Sequence, residues 1–522
     1  MNVFRRRCLV AIFPATVLWL AGCVQPVPRP ELAVLKRTAQ DPNTQLAWLD
    51  RLTWGASASS QAELTKLGLE PWLQQQLNAR PAKLPAAAQA QIDAMTISNV
   101  PLEQVAAALD AQRKAQDAAP DPEQKRAATL PYQQDSARMA RETQQRFILR
   151  ALYSPNQLQE QMTWFWMNHF NVSSRKVNLR GAIADYEENA VRPHALGKFR
   201  ELLGATLRHP AMQRYLDNAQ NAGNRLNENY ARELMELHTL GVDGGYTQAD
   251  VQELARVLTG VGITLRPEPG PPANLKPALA ADYVRQGLFE FNPIRHDYGA
   301  KTLLGQPITK RGLAEIDEAL DRLARAPATA RFISRKLAVF FVSDEPSDAL
   351  VARMAAAFTR SDGDIASTLA TLFATPEFAA SLGHQFRDPL HYVVAGVRLA
   401  YDDRVVSTVD PVLGWIDRMG EPLYGHETPD GYSLTRAAWS GPGQMVTRFE
   451  IARTLGASGG TLFRGDDRSK PAGAAFPALA ASQVVAVLER RFGAPTRAAL
   501  ADAKSPQDWN TYLLASPEFM NR

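Results

Sequence analysis

The stretch that most constrains this chain runs from Asn227 to Gly260, NENYARELMELHTLGVDGGYTQADVQELARVLTG. It reads as two helices joined by a tight Gly-rich turn. Asn227 caps the first helix, since its side-chain amide accepts a backbone N–H left unpaired in the opening turn. Gly241 stops that helix by allowing positive φ, and Asp243-Gly244-Gly245 makes the turn. Thr247 caps the second helix, which ends at Gly260. Helical spacing puts Tyr230, Leu234 and Leu237 on one face; Asn229, Glu233 and Glu236 cluster on another, with Arg232 beside them. Carboxylates and amides gathered around an apolar stripe mean either a buried polar network or a site.

The N-terminus points to export. Arg5-Arg6-Arg7 is a basic segment, Cys8 to Leu20 is apolar and too short to span a bilayer, and Leu20-Ala21-Gly22-Cys23 follows. That quartet resembles the bacterial lipobox, in which the chain is cut before the cysteine and the cysteine carries lipid. Residues 1–22 are therefore expected to be a lipoprotein signal peptide, and Cys23 the membrane anchor. By the same resemblance, Val24 after the cysteine favours the outer membrane. The paired arginines fit a twin-arginine signal poorly, so the general export pathway is preferred. Cys8 and Cys23 are the 2 cysteines of the chain. The mature protein then has no disulfide and must be held by its core, which its length permits.

The formal charge of +4 is spread along the sequence, and no basic recognition helix or RNA-binding aromatic motif appears, so no nucleic-acid partner is expected. Residues 23–45 are Pro-rich and polar, as a flexible tether would be. Residues 46–522 read as one large helical domain. Within it, 80–142 is an Ala-, Gln- and charge-rich helical excursion broken at Ala119-Pro120-Asp121-Pro122, and 456–474 is a Gly-rich loop. Ser154-Pro155-Asn156-Gln157 reads as a cap, a first-turn proline and a capping-box glutamine. The densest aromatic run follows, Met162 to Phe170. Amphipathic helices are expected near 311–324, 329–341, 347–358 and 364–373. Thr375-Pro376-Glu377 and Ser516-Pro517-Glu518 are matching helix starts. Phe289-Glu290-Phe291 and Thr302-Leu303-Leu304 alternate like two short strands around Arg295 to Gly299. The expected fold is mostly α, a multi-helical globular domain with a short two-stranded β-hairpin near 288–305.

Several segments recur together in one known group. They are Trp164-Phe165-x-x-Asn168-His169-Phe170, Asn227 through Gly241, His296-Asp297-x-Gly299-x-Lys301-x-x-Leu304-Gly305, Pro429-Asp430-Gly431-Tyr432 and Ser516-Pro517-Glu518-Phe519. In this order, from about Trp48 to the C-terminus, they resemble the DUF1800 family of bacterial proteins. The resemblance implies a predominantly helical, exported protein. It also implies a partner, because such genes often stand beside one for a second secreted family related to sulfatases and alkaline phosphatases. It brings no agreed catalytic residues.

Four groups could carry chemistry. Glu233 and Glu236 stack with Asn229, but His238 lies about 140° from Glu233 on the helical wheel, so one helix cannot present all of them to one metal. Neither a Glu-x-x-His pair nor a His-Glu-x-x-His motif is present. Alternatively the two glutamates pair with arginines such as Arg232. His296 and Asp297 sit in a loop near Lys301 and could act as ligands or acid–base groups; otherwise Asp297 caps the turn and His296 packs on Tyr298. His169 lies at the end of the aromatic run, a setting that also suits a satisfied core residue. Asp243-Gly244-Gly245 with Asp250 lacks the alternating ligands of a calcium loop. No Gly-x-Ser-x-Gly elbow, P-loop or dinucleotide fingerprint appears.

Two functions compete. One is an envelope lipoprotein acting as a helical scaffold or accessory beside a secreted partner. The other is a hydrolase of an extracellular or cell-wall polymer, with acid–base groups from His169, Glu233, Glu236, His238, His296 and Asp297. No cofactor is expected from any motif; a divalent metal on those histidines is the remaining variant of the second reading.

Overall fold

A computed structural model describes residues 41–522 except 267–269, 274, 458 and 464–476. The leader, the Cys23 anchor and most of the tether lie outside the described residues, as does most of the 456–474 loop. Asp41 caps a helix over Pro42–Leu52, so Pro42 to Gln45 are helical rather than tether.

The excursion is a helical hairpin. Helix α1 (Leu102–Asp117) and helix α2 (Pro122–Tyr153) are separated where the Pro-Asp-Pro break falls. Asp121 accepts the N–H groups of Glu123 and Gln124, and Pro122 occupies the first turn, where a missing N–H costs nothing. Val105, Leu109 and Met139 form a small core of the hairpin's own, apart from the main apolar cluster that runs from Leu46 to Met520.

Helix α3 (Gln157–His169) is buried on nearly every side, which is why its sequence shows no polar face. The expected capping box before it is not made. Ser154 instead ends α2, and the Gln157 amide accepts the Trp54 N–H at 3.0 Å while donating to the carbonyls of Ala151 and Ser154. A buried side chain that satisfies three backbone groups outcompetes a local cap.

Helix α4 (Asn229–Glu236) and helix α5 (Gln248–Val257) are the pair expected from 227–260. Asn227 accepts the Asn229 N–H at 3.0 Å, Gly241 has φ +84°, and Thr247 with Asp250 closes a capping box. Past α4 the turn widens: the N–H groups of His238 and Leu240 reach back five residues, to Glu233 and Met235.

Strands β1 (Val261–Ile263), β2 (Val284–Gln286) and β3 (Phe289–Phe291) form an antiparallel sheet in the order β1–β3–β2, with Phe291 opposite both Val261 and Val284. Strands β4 (Thr302–Leu303) and β5 (Gln306–Pro307) make a separate ladder. Both expected strand segments exist, but they do not pair with each other. Between them Arg295, His296 and Lys301 bond to Ala219, Thr259 and Glu315, and these anchors draw the chain off the ladder. Helix α6 (Leu313–Arg325) and helix α7 (Pro327–Phe341) follow near their expected bounds. The repeated Pro-Glu-Phe phrases are both helix starts, with Thr375 and Ser516 accepting the N–H groups of Phe378 and Phe519. The fold is mostly α with two small antiparallel sheets.

Candidate functional site

Three of the sequence segments meet at the end of α3. The Asn168 amide clasps the backbone of Tyr432, accepting its N–H at 2.6 Å and donating to its carbonyl at 2.9 Å. Asn171 donates to the carbonyls of His426 and Thr428 at 3.1 and 2.7 Å. Gly431, at φ +75°, lies so close that an added Cβ would stand 2.1 Å from the Asn168 carbonyl oxygen. The 426–432 loop is thereby fastened onto the aromatic helix, and it holds Asp430, whose carboxylate accepts the Thr428 hydroxyl at 2.5 Å.

Behind this loop His169 and His238 lie 5.9 Å apart, ring centre to ring centre. The His169 Nε2 donates to the His238 carbonyl at 3.1 Å. Nδ1 of His169 and both ring nitrogens of His238 have no hydrogen-bond partner among the described residues. Burial holds both imidazoles neutral, aided by the charge of Lys336, and pushes His238 down to about 3. Lys336, on α7, lies 5.7 Å from the centre of the Phe332 ring. Burial lowers it to about 8, while Asp430 acts in the opposite sense.

A testable pH dependence follows from His238. The unfolded chain takes up a proton on this residue near pH 6.5, and the folded chain takes it up only near 3. Its contribution to stability is therefore complete above about 6.5 and is lost as the pH falls towards about 3. His238→Phe should be nearly neutral at pH 7, because the ring makes no hydrogen bond, and should flatten the fall in melting temperature across that acid range. Parallel wild-type and variant curves between pH 6.5 and 3 would refute this.

In front of the loop is an open cleft of about 500 Å³ lined by Arg175, Lys176, Tyr215, Asn229, Glu233 and Glu427, among others. Glu233 is raised above the usual carboxylate range, first by burial and then by repulsion from Glu236 and Asp430. Asp430 is lowered: burial raises it, but hydrogen bonds from Thr428 and His426 outweigh that. Arg232 does not form the expected pair with these glutamates; it bonds Glu228 at 3.1 Å and Gln248 at 2.9 Å. The Tyr246 hydroxyl is raised by burial and then by the neighbouring Glu236 carboxylate.

His296 and Asp297 belong to a different knot. The His296 Nδ1 lies 2.7 Å from the Thr259 carbonyl and its Nε2 lies 3.1 Å from Glu315 Oε1. Glu315 also accepts the Lys301 ammonium at 2.7 Å, and all three side chains are buried. Burial raises the Glu315 carboxyl, yet these two donors bring it below its ordinary value. Asp297 binds Arg256 through both carboxylate oxygens, at 2.8 and 3.2 Å, and accepts the Gly299 N–H at 2.8 Å. The guanidinium is the main reason its carboxyl falls to about 2.

The fold thus places His169 beside His238 and puts Glu233, next to Glu236, on a cleft. His296 and Asp297 are bonded elsewhere, to Glu315 and Arg256. Lys336, Arg175, Tyr215 and Asp430 were not among the sequence candidates. Signals existed for Asp430, which stands in the Pro429-Asp430-Gly431-Tyr432 segment, and for Lys336, a lysine sharing a helical face with Phe332, Ile333 and Phe340. Among the described residues no group of three or more His, Cys, Asp or Glu is placed to hold a metal ion, and no helix is long and apolar enough to cross a membrane.

The site defines a mostly helical protein whose loop 426–432 is fastened to the end of the aromatic helix, next to a buried imidazole pair and a charged cleft. The sequence model of the family described as "Protein of unknown function (DUF1800)" matches residues 47–521, and the chain belongs to that family. No curated protein and no solved structure matches it.

Proposed function

We propose that the protein is an exported, lipid-anchored helical scaffold of the bacterial envelope that receives a secreted partner at the 175–176/233/427 cleft. The observation that supports this reading is the division of the candidate acid–base groups. His296 and Asp297 are spent on Glu315 and Arg256, His169 and His238 are enclosed by aromatic rings, and Glu233 faces the cleft without either pair. Acid–base catalysis needs its groups within hydrogen-bonding reach of one substrate position. A cleft that sets Arg175 and Lys176 against Glu233 and Glu427 suits a protein surface of patterned charge. The leader and Cys23 support export and anchoring at the outer membrane. The secreted sulfatase- and phosphatase-like family that the resemblance implies is the partner proposed.

The experiment is binding of the purified mature protein to a secreted protein of that family from the same organism, with Glu233→Arg and Arg175→Glu as probes. Binding should weaken at least tenfold in each, and Cys23→Ser should move the protein from the membrane to the soluble fraction. No binding by the wild type would overturn the reading. A second reading, hydrolysis of an envelope polymer, is favoured by one observation: Glu233 is raised at the cleft while Asp430, near enough to repel it, is lowered, as in an acid and its ionised counterpart. It requires turnover of a polymer by the wild type that Glu233→Gln abolishes.

A further inference from the structure

The α1–α2 hairpin meets the body of the protein over a cavity of about 240 Å³. Its apolar walls include Val105 and Leu109 of α1, Tyr132 of α2, Ala182 and Leu288. They come from separate parts of the chain, with Leu288 supplied by the turn between β2 and β3. Beside the cavity the hairpin touches the body closely: a Cβ on Gly181 would stand 2.6 Å from Leu109 Cδ1. The gap is therefore local, between surfaces already in contact.

One charged side chain lining this space is left over. Arg214, from the short helix Pro210–Tyr215, is half-buried and makes no hydrogen bond or ion pair with any described residue. The nearby carboxylate, Asp110, is already held by Arg113 at 3.0 Å and Lys114 at 2.7 Å. Burial lowers Arg214; the charges of Asp110, which also lines the cavity, and Tyr132 act against this, and that of Arg113 adds to it. A guanidinium placed against apolar walls without a partner is stabilised most by a carboxylate or similar oxyanion that it can grip through two N–H groups.

We propose that this cavity binds a small amphipathic anion, its single anionic head on Arg214 and its apolar body against Val105, Leu109, Tyr132 and Leu288. The volume corresponds to about eight water molecules at roughly 30 Å³ each, which sets the apolar body at about eight to ten non-hydrogen atoms. Small as the cavity is beside most ligand pockets, a two-pronged contact with the half-buried Arg214 adds orientation as well as affinity. A bound ligand would also join the hairpin's own small core to the body.

Octanoate, octanol and octylamine titrated calorimetrically into the full mature protein test this directly. Octanoate should bind one to one and at least tenfold tighter than either neutral octanol or cationic octylamine. Arg214→Gln should remove that preference and leave octanol binding unchanged, a control that also reports an intact cavity. Ala106→Trp, which fills the space, should abolish all binding with an unchanged circular dichroism spectrum. Absence of octanoate binding at millimolar concentration, octylamine binding as tightly, or an undiminished octanoate preference in Arg214→Gln would overturn the proposal.

Discussion

Glu315→Ala is expected to lower the unfolding free energy by about 3–5 kcal/mol, the usual cost of leaving one member of a buried ion pair alone. The Lys301 ammonium would keep only the carbonyls of Asp297 and Gly299, and His296 would lose the partner of its Nε2. The Gly312 N–H at the start of α6 would lose its acceptor as well. Urea denaturation followed by circular dichroism measures the loss. Adding Lys301→Met to Glu315→Ala should recover most of it, because the double variant leaves no charge unmatched. Failure of that rescue would show that the loss comes from the cavity and not from the charge.

The second large effect is expected at Gly431. An alanine there must adopt φ near +75° and bring its Cβ against the Asn168 carbonyl, a backbone atom that cannot swing aside. Left-handed backbone costs about 1–2 kcal/mol and overpacking another 1–3, so a loss of about 2–5 kcal/mol is expected. Gly420→Ala, at φ +83° with open space around it, should show the first cost only. Limited proteolysis should cut the 426–432 loop of Gly431→Ala faster than that of the wild type. Equal cleavage rates and equal stabilities would mean that the loop is not fastened at this point.

Much of the helical framework was legible because its signals are local. Thr247 with Asp250, Asp121 with Pro122 and the two Pro-Glu-Phe starts are satisfied within a few residues, so the sequence carries their whole explanation. The strand pairing was not legible. Phe291 pairs with Val261 and Val284, and short strands choose partners by what the rest of the chain leaves beside them. The same limit applies to the candidate site. His296 and Asp297 looked reactive in sequence because Glu315 and Arg256, which bond them, are 19 and 41 residues away. The split between Glu233 and His238 could be read from helix geometry, and the fold keeps it, with Glu233 on the cleft and His238 buried. Lys336 and Arg214 drew no notice, since a single cation on an amphipathic helix is ordinary until its neighbours are known.

The clasp between Asn168 and Tyr432 spans 264 residues. A ribosome delivers the aromatic helix long before the loop that Asn168 clasps, and closing so long a loop costs entropy that no local contact returns. Trp164 therefore awaits Tyr424, from the last quarter of the chain, and the cleft has no far wall until Glu427 and Pro429 arrive. Any ligand of this cleft reads whether synthesis and folding have gone to completion. Truncated or stalled chains would present sticky aromatic surface instead of a binding face, and would be material for proteases before they could compete for a partner.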